Sequence, residues 1–222
     1  MTNKIRRGFW IIGLLAISPA ISMAHDLEDG FVERAVQLRI RDGKLEIEYT
    51  IGLTEPTMAE LLKNAVQDYL PPTTSNLIEK SVPSDSGLGG EDSVREKYKM
   101  RFKSLIMDNL NLTVNGLRQT ITCDSVADYP KHHYDFVFNF SCEMSSIEKC
   151  KLVLEDSNFA EQDGGARYAL KSSGKWIISR SNVAPIIIRS NRHDLSSLKP
   201  DQRQNACKIL ASIAVAALET KD

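Results

Sequence analysis

Apolar and polar residues alternate strictly along two adjoining stretches. Val36, Leu38 and Ile40 alternate with Gln37, Arg39 and Arg41; Leu45, Ile47, Tyr49 and Ile51 alternate with Lys44, Glu46, Glu48 and Thr50. Asp42-Gly43 lies between them and tolerates the positive φ of a type I′ turn, so the pair predicts a β-hairpin. A two-residue turn sets Arg41 against Lys44, Ile40 against Leu45, Leu38 against Ile47 and Val36 against Tyr49. Every apolar side chain then falls on one face. Arg39 stands near Glu46 and Glu48 on the other.

After Thr54 the period becomes helical. Met58, Leu61, Leu62, Ala65, Val66 and Tyr69 form one stripe, which Pro71-Pro72 ends. Residues 71–91 are rich in Pro, Ser, Thr and Gly and predict a flexible loop. Ser93 and Glu96 form a capping box ahead of a second stripe, Val94, Tyr98, Phe102, Leu105 and Ile106, which closes at Asp108-Asn109.

Period two then returns. Leu110, Leu112 and Val114 lead into Asn115-Gly116, with Leu117 to Cys123 as the return strand. His132 to Cys142 sets Tyr134, Phe136, Phe138 and Phe140 on one face. Further strands are expected at Cys150 to Glu155, Ala166 to Lys171, Lys175 to Ser179 and Pro185 to Arg189. Pro200 opens a final helix over Asp201 to Glu219, with Ala206, Ile209, Leu210, Ile213 and Ala217 inward. With no βαβ alternation, the expected class is α+β: antiparallel β-sheets of about eight strands, sandwich-like, covered by about three amphipathic helices.

The first 24 residues predict an export signal. Lys4, Arg6 and Arg7 precede an apolar run from Trp10 to Ile21, and Ser22-Met23-Ala24 fits a small-x-small cleavage site. The run is interrupted by Gly13, Ser18 and Pro19 and is shorter than the ~20 residues that span a bilayer. Arg6-Arg7-Gly8-Phe9 resembles a twin-arginine signal, from which Ile5 departs; the general secretory route is favoured. Residues 1–24 are thus expected to be a signal peptide and 25–222 an exported domain in the periplasm or outside the cell. No later segment is long enough to be a transmembrane span. Removing Lys4, Arg6 and Arg7 from 28 basic residues leaves 25 against 29 acidic ones, a formal charge of −4. That balance argues against nucleic acid and anionic lipid as partners.

Export also changes the meaning of Cys123, Cys142, Cys150 and Cys207. An even count in an oxidising compartment predicts two disulfides, of which three connectivities are possible. Cys142 and Cys150 end one predicted strand and begin the next, so they are placed to staple a hairpin; Cys123 is then left for Cys207. No C-x-x-C spacing favours a metal site.

Cleavage after Ala24 would make His25 the mature N-terminus, where α-amine and Nδ1 together chelate Cu or Ni. His132, His133 or His193 would supply a second imidazole. His132 and His133 are neighbours on a strand and point to opposite faces, which suits a strand end better than a shared metal. His193-Asp194 has the composition of half an acid–base pair, though such a residue also simply precedes a helix. There is no G-x-S-x-G elbow and no complete nucleophile–base–acid set, which leaves a hydrolase as a third possibility behind binding and metal capture. Asp156 and the run Gln162 to Ala166 offer oxygen ligands for calcium without the EF-hand spacing.

Several stretches also resemble a known group. Ala24-His25, the strand before Asp42-Gly43, E-Y-T-I-G-L-T (Glu48 to Thr54), L-T-V-N-G (Leu112 to Gly116) and L-V-L-E-D-S-N-F (Leu152 to Phe159) are similar to uncharacterised bacterial exported proteins. Some of these resemble the periplasmic domains associated with HupE/UreJ-type nickel/cobalt transporters. The likeness covers residues 24–62 and 110–160 and rests on structural rather than catalytic motifs. It implies an envelope or membrane-transport protein as partner. The chain has neither the transporter's membrane helices nor its His-rich loop, so it does not transport by itself.

Overall fold

The structure, a computed structural model, describes residues 30–41, 43–54, 56–61, 91–129, 134–144, 149–187 and 191–216. The first hairpin forms as the alternation requires: β1 (Val32–Arg41) and β2 (Lys44–Leu53) pair antiparallel, with Ile40 opposite Leu45, Leu38 opposite Ile47 and Val36 opposite Tyr49. Gly43 has φ +79°, the left-handed backbone the turn demands. Val36, Leu38, Ile40, Leu45, Ile47, Tyr49 and Ile51 are all buried.

Further along the chain come β3 (Leu110–Val114), β4 (Leu117–Arg118), β5 (Thr122–Tyr129), β6 (Tyr134–Glu143), β7 (Lys149–Asp156), β8 (Gly165–Ser172), β9 (Trp176–Ser181), β10 (His193–Asp194) and β11 (Lys208–Val215). The eleven described strands form a six-stranded sheet, β10-β8-β1-β2-β6-β5, and a five-stranded sheet, β4-β3-β7-β11-β9. The inward side chains of both belong to one apolar cluster, among them Phe136, Phe138 and Phe140 from β6, Leu152 and Leu154 from β7, and Ile209 and Ile213 from β11. The sheets are mostly antiparallel, but β1 pairs parallel with β8. β1 is buried on both faces from Val32 to Val36, whereas Gln37 and Arg39 further along its outer face are only half-buried.

Among the described residues, three helices accompany the sheets: α1 (residues 56–61), α2 (Glu91–Asp108) and α3 (Pro200–Ala206). Met58 on α1 and Phe102 and Ile106 on α2 are buried, and α2 lies against β3 and β5. The remainder of the first helical stripe and the loop expected at 71–91 fall outside the described residues, apart from Glu91, which begins α2. α3 buries none of its residues fully and meets the core through the partly buried Ala206.

Four expectations need correction. Among the described residues there are eleven strands rather than about eight. The return strand after Asn115-Gly116 stops at Arg118; β5 then crosses to the other sheet and pairs with β6. Residues 185–187 are irregular rather than a strand. The largest change is at the C-terminal end, where the helix expected over Asp201 to Glu219 stops at Ala206 and residues 208–215 become β11, inserted between β7 and β9. Ile209 and Ile213 are four apart, a spacing that suits one face of a helix and one face of a strand equally. Two open strand edges decide the matter, since β11 supplies the backbone partners that β7 and β9 would otherwise lack.

Candidate functional site

His25, His132 and His133 lie outside the described residues. His193 is exposed on β10, opposite Ala166. Its neighbour Asp194 is engaged elsewhere, accepting from the Ser196 N–H at 3.2 Å to cap the 3-10 turn Leu195–Ser197. No group of three or more potential metal ligands occurs among the described residues.

The four cysteines are free thiols. The hairpin meant to carry a Cys142–Cys150 bridge does not form, because β6 and β7 belong to different sheets. Cys123 sits on edge strand β5 opposite Phe140, whereas Cys207 lies ahead of β11 against Arg34, so the Cys123–Cys207 pairing is not formed either. Burial raises the pKa of every one of these thiols, which disfavours the thiolate needed for nucleophilic or metal chemistry.

The strongest polar constellation is one that alternation alone did not isolate. Arg34 points from β1 into the core and is fully buried, with its Nη1 3.8 Å from Asp156 Oδ2. Nη1 also donates to the backbone carbonyl of Asn158, and Nη2 lies 3.6 Å from Cys207 Sγ. Asp156, at the end of β7, accepts from Tyr168 Oη at 2.7 Å, Tyr49 Oη at 3.2 Å, the Asn158 N–H at 3.0 Å and Asn158 Nδ2 at 2.9 Å. Asn158 Nδ2 further donates to Ile106 O of α2 at 3.2 Å. The network therefore joins β1, β2, β7, β8, α2 and the entry to β11.

Its electrostatics follow from enclosure. Burial opposes the charge on Arg34, but the Asp156 carboxylate beside it offsets this, and its pKa lies above the ordinary value. Burial and then Asp156 push both Tyr49 and Tyr168 well above the usual phenol range. Phenols held neutral donate to a carboxylate held by four donors and a guanidinium. Such an arrangement orients strands; Asp156 is not displayed to a substrate. The calcium role considered for Asp156 is displaced by these partners, and Asp163, from the neighbouring acidic stretch, pairs with Arg203 at 2.8 Å.

Backing β1 on its other face, Glu33 is buried between Arg167, 3.6 Å away, and Arg192, whose Nε donates at 3.2 Å. Beyond that cluster the outer face of the six-stranded sheet opens to solvent. Arg39, Glu46, Glu48, Asp124 and Asn139 surround a groove of about 230 Å³ that lies over the strands at Ile47 and Phe140, whose side chains are buried in the core. Arg39 meets Glu48 at 3.2 Å and Lys44 meets Asp124 at 3.4 Å, while Ser141 Oγ donates to Asp124 at 3.0 Å. This surface presents paired charges of both signs and an amide on strands β1, β2, β5 and β6. It has the chemistry of polar recognition. The chain matches no protein-family model and no curated protein sequence.

Proposed function

We propose that the chain is an exported, periplasmic, non-catalytic binding or accessory protein of an envelope system, a sandwich-like scaffold that recognises its partner through the outer face of the six-stranded sheet. The observation that carries this is the charged groove around Arg39, Glu48, Asp124 and Asn139. Its strands are anchored by a fully buried core, so the polar groups are displayed from a rigid base. Export rests on the leader with its cleavage pattern at Ala24. The resemblance to exported proteins associated with nickel/cobalt transporters supports a shared scaffold: its stretches supply Tyr49, Asp156 and Asn158 to the buried network.

Photo-crosslinking from a benzophenone side chain at Asn139, in cells that export the chain, tests the proposal. One discrete adduct with an envelope protein is expected, lost on Glu48→Lys and not obtained from exposed Glu161. No adduct, or the same adducts from both positions, would sink it. Cu or Ni capture at the mature N-terminus is the alternative that Ala24-His25 favours. A metal titration of protein beginning at His25, against His25→Ala, distinguishes the two; indistinguishable binding removes the metal role.

A further inference from the structure

The outer face of the five-stranded sheet is built differently from the groove face. Register arranges it in rows: Asn111, Glu155 and Lys208; then Thr113, Val153 and Leu210; then Lys151, Ser212 and Arg180; then Lys149, Ala214 and Ile177. The first row closes on itself, with Lys208 paired to Glu155 at 2.5 Å and Asn111 donating to Glu155 at 3.1 Å. Glu155 is the one acidic side chain that β3, β4, β7, β9 and β11 present outward. Among the described residues, no acidic group pairs with Lys149, Lys151 or Arg180. Between and beside these cations two large apolar side chains stand in solvent, Leu210 at 44% exposure and Ile177 at 52%.

We propose that this face docks on an anionic phospholipid surface, with Lys149, Lys151 and Arg180 meeting headgroup phosphates while Ile177 and Leu210 enter the interfacial layer. Cations and apolar side chains are spread across β7, β11 and β9 on an open sheet face rather than gathered around a cleft; the groove lies on the other sheet. A laterally uniform anionic surface satisfies such a spread without shape matching, and each basic side chain near it adds attraction. The apolar pair supplies the hydrophobic component that surface-bound proteins combine with charge. The formal charge of −4, which weighs against an anionic partner for the chain taken whole, acts only weakly at this face. Screening confines each interaction to a Debye length of about 8 Å, so the charge of the facing surface governs rather than that of the whole chain. Docked in this way, the protein turns its groove away from the lipid.

Cosedimentation with vesicles of phosphatidylcholine and phosphatidylglycerol in equal parts, against phosphatidylcholine alone, provides the test. Binding to the anionic vesicles only is expected, weakening as salt is raised. The combined variant Lys149→Glu, Lys151→Glu and Arg180→Glu should lose affinity by roughly tenfold or more. Ile177→Ser with Leu210→Ser should also weaken binding, whereas Lys171→Glu on the other sheet should leave it unchanged. Circular dichroism confirms that each variant is folded, and the salt titration of the unaltered protein stands without any variant. Failure of the unaltered protein to bind anionic vesicles overturns the proposal, as does undiminished binding by the charge-reversed variant. Neither result touches the crosslinking expected at the groove.

Discussion

Arg34 and Arg39 leave β1 on opposite faces, and each meets a carboxylate of another strand. Arg34 is sealed in the core with Asp156, where phenols, an amide and a backbone N–H complete the carboxylate's coordination. Arg39 reaches Glu48 across the hairpin with both side chains substantially in water. Inside, two ions have lost hydration and depend on every partner around them. Outside, water compensates for a lost partner, so the pair separates at little cost. One strand thus carries a brace on one face and a display on the other.

Removing one ion separates the two settings most sharply. Asp156→Ala leaves a buried guanidinium uncompensated and should destabilise the fold by about 3–5 kcal/mol, read from chemical denaturation. Arg34→Met combined with Asp156→Leu should recover much of that loss, since neither charge is then stranded. A double variant no more stable than Asp156→Ala would mean that shape, not charge compensation, sets the cost.

The phenols give an intermediate effect. Tyr168→Phe deletes a 2.7 Å hydrogen bond to Asp156 and should cost about 1.5–3 kcal/mol. Both phenols also make stability depend on alkaline pH. Above the ordinary value of 10.0 the unfolded chain releases these protons while the folded chain keeps them. The unfolded state then binds fewer protons, so stability falls as pH rises through and beyond 10. Urea midpoints measured from pH 8 upward should decline in that range, and less steeply for Tyr168→Phe. A slope unchanged by the substitution would count against neutral, enclosed phenols.

Arg39→Ala should produce the smallest change, below about 1 kcal/mol, shrinking further in high salt. A loss as large as that of Asp156→Ala would erase the contrast.

Much of this organisation was written in the alternation. The register of the first hairpin was legible from Val36 to Ile51, because period two, Asp42-Gly43 and opposed charges all specify it, although the strands extend to Val32 and Leu53. Arg34 is hidden from such a reading because a charge normally ends an apolar pattern, which makes Val36 look like the start of the strand. Yet Arg34 stands two before Val36 and Asp156 two after Leu154, both in inward register. Two opposite charges at inward positions of separate strands were a recoverable signal for a buried pair. β11 was less legible, since Ile209 and Ile213 satisfy both periods and only the vacancy between β7 and β9 excludes a helix. The outer-face charges were visible as residues, but which of them share a face depends on cross-strand register, which local patterns do not contain.

The place of β11 also governs the order in which the molecule can be completed. It is the last of the described strands in chain order and an interior member of its sheet, joining β7 to β9. The first hairpin needs only adjacent residues and can form as soon as they are available. The five-stranded sheet cannot close until residues 208–215 arrive, and the parallel β1–β8 pairing also spans more than a hundred residues. Such late, long-range closure predicts slow folding, with open edges on β7 and β9 exposed to other chains in the interval. A chain delivered from its N-terminus would pass through that vulnerable interval on every occasion it folds.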